Sequence, residues 1–192
     1  MEYPCYGSAD FRTPAFHAEY ENGSGVTCLE YSGYEIFKGK KQLEGLPATY
    51  VESEDESDTL EITLCDKLTG LKIILSYTVF SEHDAIAKSV RVRNEGNQRI
   101  NVKSVLSSTT YLFDKDYDFV HLEGSWARER SIQKKSLMNG IMQVDVNEVD
   151  VARVNVGIKP FGFNWLLQPD EEFQAPEVIL TYSDEGFGLN LK

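Results

Sequence analysis

Basic residues are scarce in this chain. Its 192 residues hold 19 Lys and Arg against 31 Asp and Glu, a formal net charge of −12 at pH 7. A nucleic acid or an anionic membrane needs Lys and Arg to neutralise phosphate, so both are excluded as partners. The acid excess serves solubility. Cysteine is scarcer still: Cys5, Cys28 and Cys65 are odd in number and far apart, with neither a CxxC nor a Cys/His ligand spacing. That pattern implies no disulfide framework and no zinc site, and it fits a reducing compartment. No apolar run reaches the length of a membrane span. Met1-Glu2-Tyr3-Pro4 offers neither a basic n-region nor an apolar h-region, so the chain reads as a cytoplasmic protein without an export signal.

Catalytic signatures are missing too. The three histidines, His17, His83 and His121, are scattered, and there is no G-x-S-x-G elbow, no H-E-x-x-H and no phosphate-cradling glycine loop. Gly23-Ser24-Gly25 follows a polar turn and opens no helix, so it forms no anion site, and the Asn22-Gly23-Ser24 sequon reads as a turn. Two carboxylates facing a glycosidic bond would suffice to hydrolyse a sugar, but among 31 acids no pair stands out. The residues by themselves assign no catalytic group, no metal ligands and no cofactor.

What is present is period-two alternation. Leu60, Ile62 and Leu64 share one face of a strand; after the turn at Asp66 to Gly70, Leu71, Ile73, Leu75, Tyr77 and Val79 share another, which predicts a hairpin. Ile86, Val90 and Val92, the turn at Asn94 to Gln98, then Ile100, Val102 and Ser104 predict a second hairpin, with Arg and Lys pointing outward. Val144 to Val151 and Ala152 to Ile158 alternate likewise, and Glu177 to Tyr182 is a last strand. Six prolines and fourteen glycines punctuate these runs, and no segment keeps a 3.6-residue period. The expectation is an all-β, antiparallel, two-sheet β-sandwich, a barrel being the alternative, in a single domain over 1–192.

Glu52 to Asp58, "ESEDESD", reads as a solvated loop tip, because adjacent carboxylates repel and resist burial; it lacks the glycine spacing of a calcium loop. Ten tyrosines, ten phenylalanines and two tryptophans supply core, and also surfaces able to stack on sugar rings. Trp165, among Phe161, Phe163 and Leu166, is expected in the core. Trp126 stands apart in "HLEGSWARER", between a Gly-Ser pair and a run of charge, where neither strand nor helix periodicity explains it.

Four blocks in collinear order, "EYPCYGSADFRTPAF" (2–16), the stretch from "ENGSGVTCLEYSGY" to "LEITLCD" (21–66), "DYDFVHLEGSWARER" (116–130) and "VNVGIKPFGFNWLLQPDEEFQAPEVILTYSDEGFG" (154–188), resemble the amino-terminal domain of glycoside hydrolase family 36 α-galactosidases. The resemblance implies a mutarotase-like supersandwich preceding a (β/α)8 barrel. In the family that barrel holds both catalytic aspartates of a retaining mechanism acting on terminal α-galactosides such as melibiose or raffinose. No such barrel lies within these residues, so the resemblance leaves the chain no catalytic residue.

For Trp126 the resemblance implies a place in the wall of the galactose pocket, with Arg128, Glu129 and Arg130 anchoring its loop through local ion pairs. It also implies oligomer contacts and a catalytic barrel as partner. The chain departs from the family in two places. The family's first strands precede the block at which Met1 falls, and several tens of residues are expected between Gln143 and Val144. The competing reading is a free-standing, non-catalytic carbohydrate-binding module.

Overall fold

In the computed structural model the described residues are 2–8, 10–43, 45–113, 118–125, 128–136, 143–146 and 151–183, with backbone pairing alone for 118–125 and 128–136. Thirteen strands occur among them. Six form one antiparallel sheet: β2 (Glu30–Lys38), β3 (Asp58–Asp66), β4 (Leu71–Phe80), β5 (Ala85–Asn94), β12 (Glu172–Gln174) and β13 (Val178–Thr181). Five form the other: β1 (Phe16–Tyr20), β6 (Ile100–Leu112), β9 (Gln143–Val146), β10 (Ala152–Gly157) and β11 (Trp165–Leu167). A separate two-stranded sheet pairs β7 (Asp118–Ser125) with β8 (Arg128–Ser136). The two large sheets face each other as a sandwich, as the alternation implied.

Alternation places the core. Leu71, Ile73 and Leu75 of β4 and Val90 and Val92 of β5 meet Phe16 and Ala18 of β1 and Ile100, Val102 and Val105 of β6, all buried. Burying a side chain of this size stabilises the fold by about 1.5–3 kcal/mol. The first expected hairpin is present: β3 and β4 pair from Asp58↔Val79 to Asp66↔Leu71, although Val79, at the far end, is exposed.

The second expected hairpin is not present. β5 and β6 lie in different sheets, so Glu95 to Arg99 is an arch from one layer to the other. A hairpin and an arch both bring two apolar faces close together after a short polar turn, and alternation does not separate them. The arch is held by Asn94, which is fully buried. Its Nδ2 donates to Gln98 O (2.8 Å) and Leu167 O (3.2 Å), and its Oδ1 accepts from Gly96 N (3.0 Å). The outward placement of the basic residues fails at Lys88. It lies on the inner face, 9% exposed, with Nζ 3.3 Å from Thr109 O, 3.4 Å from Glu2 Oε1 and over the Tyr77 ring. The long stem of a lysine can be buried where its ammonium finds acceptors.

Gly96 packs against the β3–β4 turn. A Cβ there would fall 2.1 Å from Thr69 O, and Glu95 N donates to Gly70 O (3.0 Å). Backbone has no rotamer with which to yield, so Gly96→Ala is expected to cost about 1–3 kcal/mol. Thermal unfolding should show a melting temperature lower by several degrees; an unchanged value would mean that the arch relaxes freely.

The acidic run is more ordered than a bare tip. Ser53 caps a 3-10 turn at Glu54–Glu56, accepting from Asp55 N, while the Glu56 carboxylate accepts from Ser53 N (3.1 Å) and Glu52 N (3.0 Å). Reciprocal capping gives these acids backbone donors to bond. Near it, Lys40 Nζ and Glu177 Oε2 form a buried ion pair at 2.7 Å.

Candidate functional site

Trp126 itself lies outside the described residues, as do all side chains of its hairpin; what the structure shows is the frame. β7 and β8 are antiparallel from Asp118↔Ser136 to Ser125↔Arg128, with a register shift between Glu123 and Ser125. Ser125 and Arg128 are the last partners on the two strands, and Trp126 and Ala127 fall between them in the sequence.

The chain enters the hairpin from the end of β6, and a charged cluster is built there. Arg153 of β10 is opposite Tyr111 of β6 and is 1% exposed. Its Nη2 bonds Asp10 Oδ2, its Nε donates to Tyr111 Oη (3.1 Å), and its guanidinium lies over the Tyr111 ring, 5.1 Å from the centroid. Arg12 closes on the same carboxylate: Nε to Oδ1 at 3.1 Å, Nη2 to Oδ2 at 3.0 Å, and its backbone N to Oδ1 at 3.0 Å. Thr13 N donates to Asp145 Oδ2 of β9 (2.9 Å), and Asn155 Nδ2 donates to Thr13 O (3.1 Å). Hydrogen bonds from Arg12, then from Arg153, hold the Asp10 carboxyl well below the usual carboxylate range against the opposing cost of burial.

The effect is to lock residues 10–13 across β10 and β9 while leaving Phe11 wholly outside, 103% exposed. Sequence reasoning missed this cluster. Its one visible signal is Arg153 two residues from Asn155 in a valine-rich strand: both are more deeply buried than Val154 and Val156 between and beyond them.

His17 and His83, the two histidines whose side chains are described, do not converge. His17 is in β1, stacked on Tyr6 at 4.3 Å, and burial, then Lys103, pushes its pKa down; His83 is in the turn after β4, in the other sheet. The side chain of His121 is not among those described. No group of three His, Cys, Asp or Glu able to hold a metal occurs among the described residues. No helix among them is long and apolar enough to cross a membrane. Cys5, Cys28 and Cys65 are free thiols, and burial pushes the pKa of Cys5 up to about 12.

Trp165 corrects an expectation: it is 48% exposed. It pairs with Val102 at the start of the short strand β11 and closes the rim of the sandwich, its ring 5.1 Å from that of Phe173, while Leu167 enters the core. Trp165 and Leu167 share one face of this period-two strand, and only Leu167 is fully buried.

The chain matches the model of the "glycosyl hydrolase family 36 N-terminal domain" over residues 1–147. It is 40% identical to alpha-galactosidase AgaA of Geobacillus stearothermophilus over 230 residues, covering 97% of this chain and 32% of that protein. Against alpha-galactosidase Mel36A of Lactobacillus acidophilus the identity is 31%, covering 96% of this chain and 31% of that protein. The crystal structure of AgaA superimposes with a TM-score of 0.91 at 39% identity, covering 96% of this chain and 32% of that one. Variants of AgaA have been crystallised with stachyose and with raffinose.

The chain thus spans about a third of the length of these relatives. The AgaA alignment extends over 230 residues, whereas 97% of this chain is about 186 residues, so about 44 aligned positions have no residue of this chain opposite them. A match over most of the chain, agreeing in sequence and in three dimensions, decides the family: this chain belongs to the family 36 glycosyl hydrolase N-terminal domains.

Proposed function

We propose that these residues are the accessory sandwich of an α-galactosidase-like glycoside hydrolase, and that the β7–β8 hairpin presents Trp126 as one wall of a galactose pocket. The catalytic groups belong to a (β/α)8 barrel outside these residues, acting by a retaining mechanism on terminal α-galactosides. The observation that carries this reading is the match itself: nearly the whole chain aligns, at 40% identity, with only 32% of an alpha-galactosidase. An indole at the pocket wall would exclude water and offer the sugar an apolar face. The Asp10 cluster would hold the root of the hairpin, and Phe11 would anchor a contact with a neighbouring subunit of a homo-oligomer. Free thiols fit a cytoplasmic location. The aligned positions without a counterpart would fall at the Gln143–Val144 junction.

Two proteins test this. The longer product of the same reading frame is expected to release nitrophenol from an aryl α-galactoside, and residues 1–192 alone to release none. Isothermal titration of residues 1–192 with galactose is expected to show no saturable binding up to millimolar sugar, because most polar contacts would come from the barrel. Saturable binding would favour the carbohydrate-binding module. Under that reading the sugar would sit in a groove of about 650 Å³ beside the exposed Tyr50, with Phe80, His83 and Glu56 in its lining.

A further inference from the structure

One side of an antiparallel sheet packs on the core and the other ordinarily meets solvent. At one end of the six-stranded sheet the solvent side is apolar instead. Ile73, Leu75 and Tyr77 of β4 face the core, so Thr78 and Phe80 alternate to the outer face. Phe80 pairs with Ala85 of β5, and Ile179 of β13 pairs with Ala87, the partner of Thr78, so these side chains share that face. Phe80, Ala85 and Ile179 line the groove of about 650 Å³ from the sheet, and Pro47 and Tyr50 line it from the connection between β2 and β3.

The connection is fastened across the outer face. Gly39 N donates to Ser57 O (2.8 Å), Thr59 Oγ1 to Gly39 O (2.6 Å), and Lys40 Nζ to Thr49 O (2.8 Å). Glu177, just before β13, accepts from Thr49 N (2.9 Å) and Thr49 Oγ1 (2.6 Å) and pairs with Lys40, both side chains being more than nine-tenths buried. The rim is acidic. The capped turn brings Glu56 into the lining beside Glu54 and Asp55, and the turn after β4 brings His83, flanked by Glu82 and Asp84. No Lys or Arg lines the groove among the described residues. Alongside it, β13 pairs only with β5, so its other edge has no strand partner among the described residues. An extended peptide added to that edge would exchange backbone hydrogen bonds with β13 and turn every second side chain toward the groove.

We propose that the free edge of β13 and the groove beside it bind an extended basic segment of a partner protein, whose apolar residues enter the groove and whose Lys or Arg residues meet the acids of the two turns. Charge decides the occupant. A second copy of a chain with a net charge of −12 is repelled from an acidic rim. A sugar needs directed acceptors, and the Glu177 and Glu56 carboxylates already accept from Thr49 and from Ser53 N and Glu52 N. The inference stands apart from the α-galactosidase reading.

The test uses the full product of the reading frame and labelled peptides of about 10 residues, the length of a long strand, read by fluorescence anisotropy. The first carries Val alternating with Thr between paired Lys at both ends; the second has Glu in place of Lys, and the third has Pro in place of Thr. The Lys peptide is expected to bind at least about ten-fold more tightly than the other two and to slow amide exchange across Val178–Thr181. Glu54→Lys with Asp55→Lys, outside the capping pair, should weaken it about ten-fold, and so should Ile179→Lys, at a half-exposed position in the groove. The two variants act on rim and groove separately, so a folding defect in one leaves the other as a test. Glu35→Lys, on β2 at the other edge of the sheet, should change nothing.

An equal loss with Glu35→Lys would reduce the effect to net charge and overturn the proposal, as would equal binding of the Glu peptide or no binding at all. Three further results would overturn it by naming another occupant. Val178–Thr181 amides protected without peptide at every protein concentration would give the edge to another segment of the same protein. Protection that grows with concentration would give it to a second copy, and displacement of the peptide by galactose would give the groove to sugar.

Discussion

Asp10→Asn is expected to lower the melting temperature by about 6–12 °C. Arg153 is buried, and Asp10, itself 28% exposed, is the carboxylate it bonds, so the substitution leaves a buried guanidinium without its counter-ion. Breaking a buried pair from one side costs about 3–5 kcal/mol, and Asp145, which bonds the neighbouring Thr13 N, offsets part of it. About 3 kcal/mol remains, and in a domain of this size each kcal/mol is worth about 2–4 °C.

The same residue sets an acid limb. Its carboxyl is held below the ordinary carboxylate range in the folded chain, so the unfolded chain binds protons more readily. The stabilisation is fully present above the unfolded value of about 3.9 and is lost as pH falls from there toward the folded value. Melting temperatures from pH 7 down to pH 2 should therefore converge for the two proteins at the acid end. Parallel curves would show that Asp10 contributes no charge-dependent stability.

The other large effect is on turnover. In the barrel-containing protein, Trp126→Ala is expected to lower kcat/KM for an aryl α-galactoside about 30-fold, the loss typical of an aromatic anchor worth about 2 kcal/mol. Its melting temperature should move little, because the strands that flank Trp126 in the sequence, β7 and β8, form a sheet separate from the two core sheets. Trp126→Phe should recover most of the activity, since a ring face remains. Kinetics unchanged by Trp126→Ala would remove the residue from the pocket, and a large fall in melting temperature would assign it to the fold instead.

Much of the β architecture is legible in the residues because a pleated strand has a period of two and a sheet here has one wet side. Alternation alone assigns Leu71, Ile73 and Leu75 to the core, and it also marks the β3–β4 hairpin. Connections are harder. Asn94 to Gln98 has the composition of a hairpin turn, and only the partners of Asn94, among them Leu167 far along the chain, make it an arch. Trp165 misleads for a related reason: its neighbours are apolar, but its strand lies at the rim. The candidate site divides the same way. Trp126 stands out because no periodicity claims it, whereas the Asp10–Arg12–Arg153 cluster joins residues 143 positions apart and leaves almost no local trace.

The sequence by itself determined the class of fold, the absence of catalytic and metal motifs, and the family, because these depend on local periodicity and on blocks of contiguous residues. Tertiary structure alone decided which strands share a sheet, which charges are buried together, and where the outer face of the six-stranded sheet carries an apolar groove. Each of these turns on contacts between distant segments, and alternation along one strand states which side is apolar without stating what will cover it.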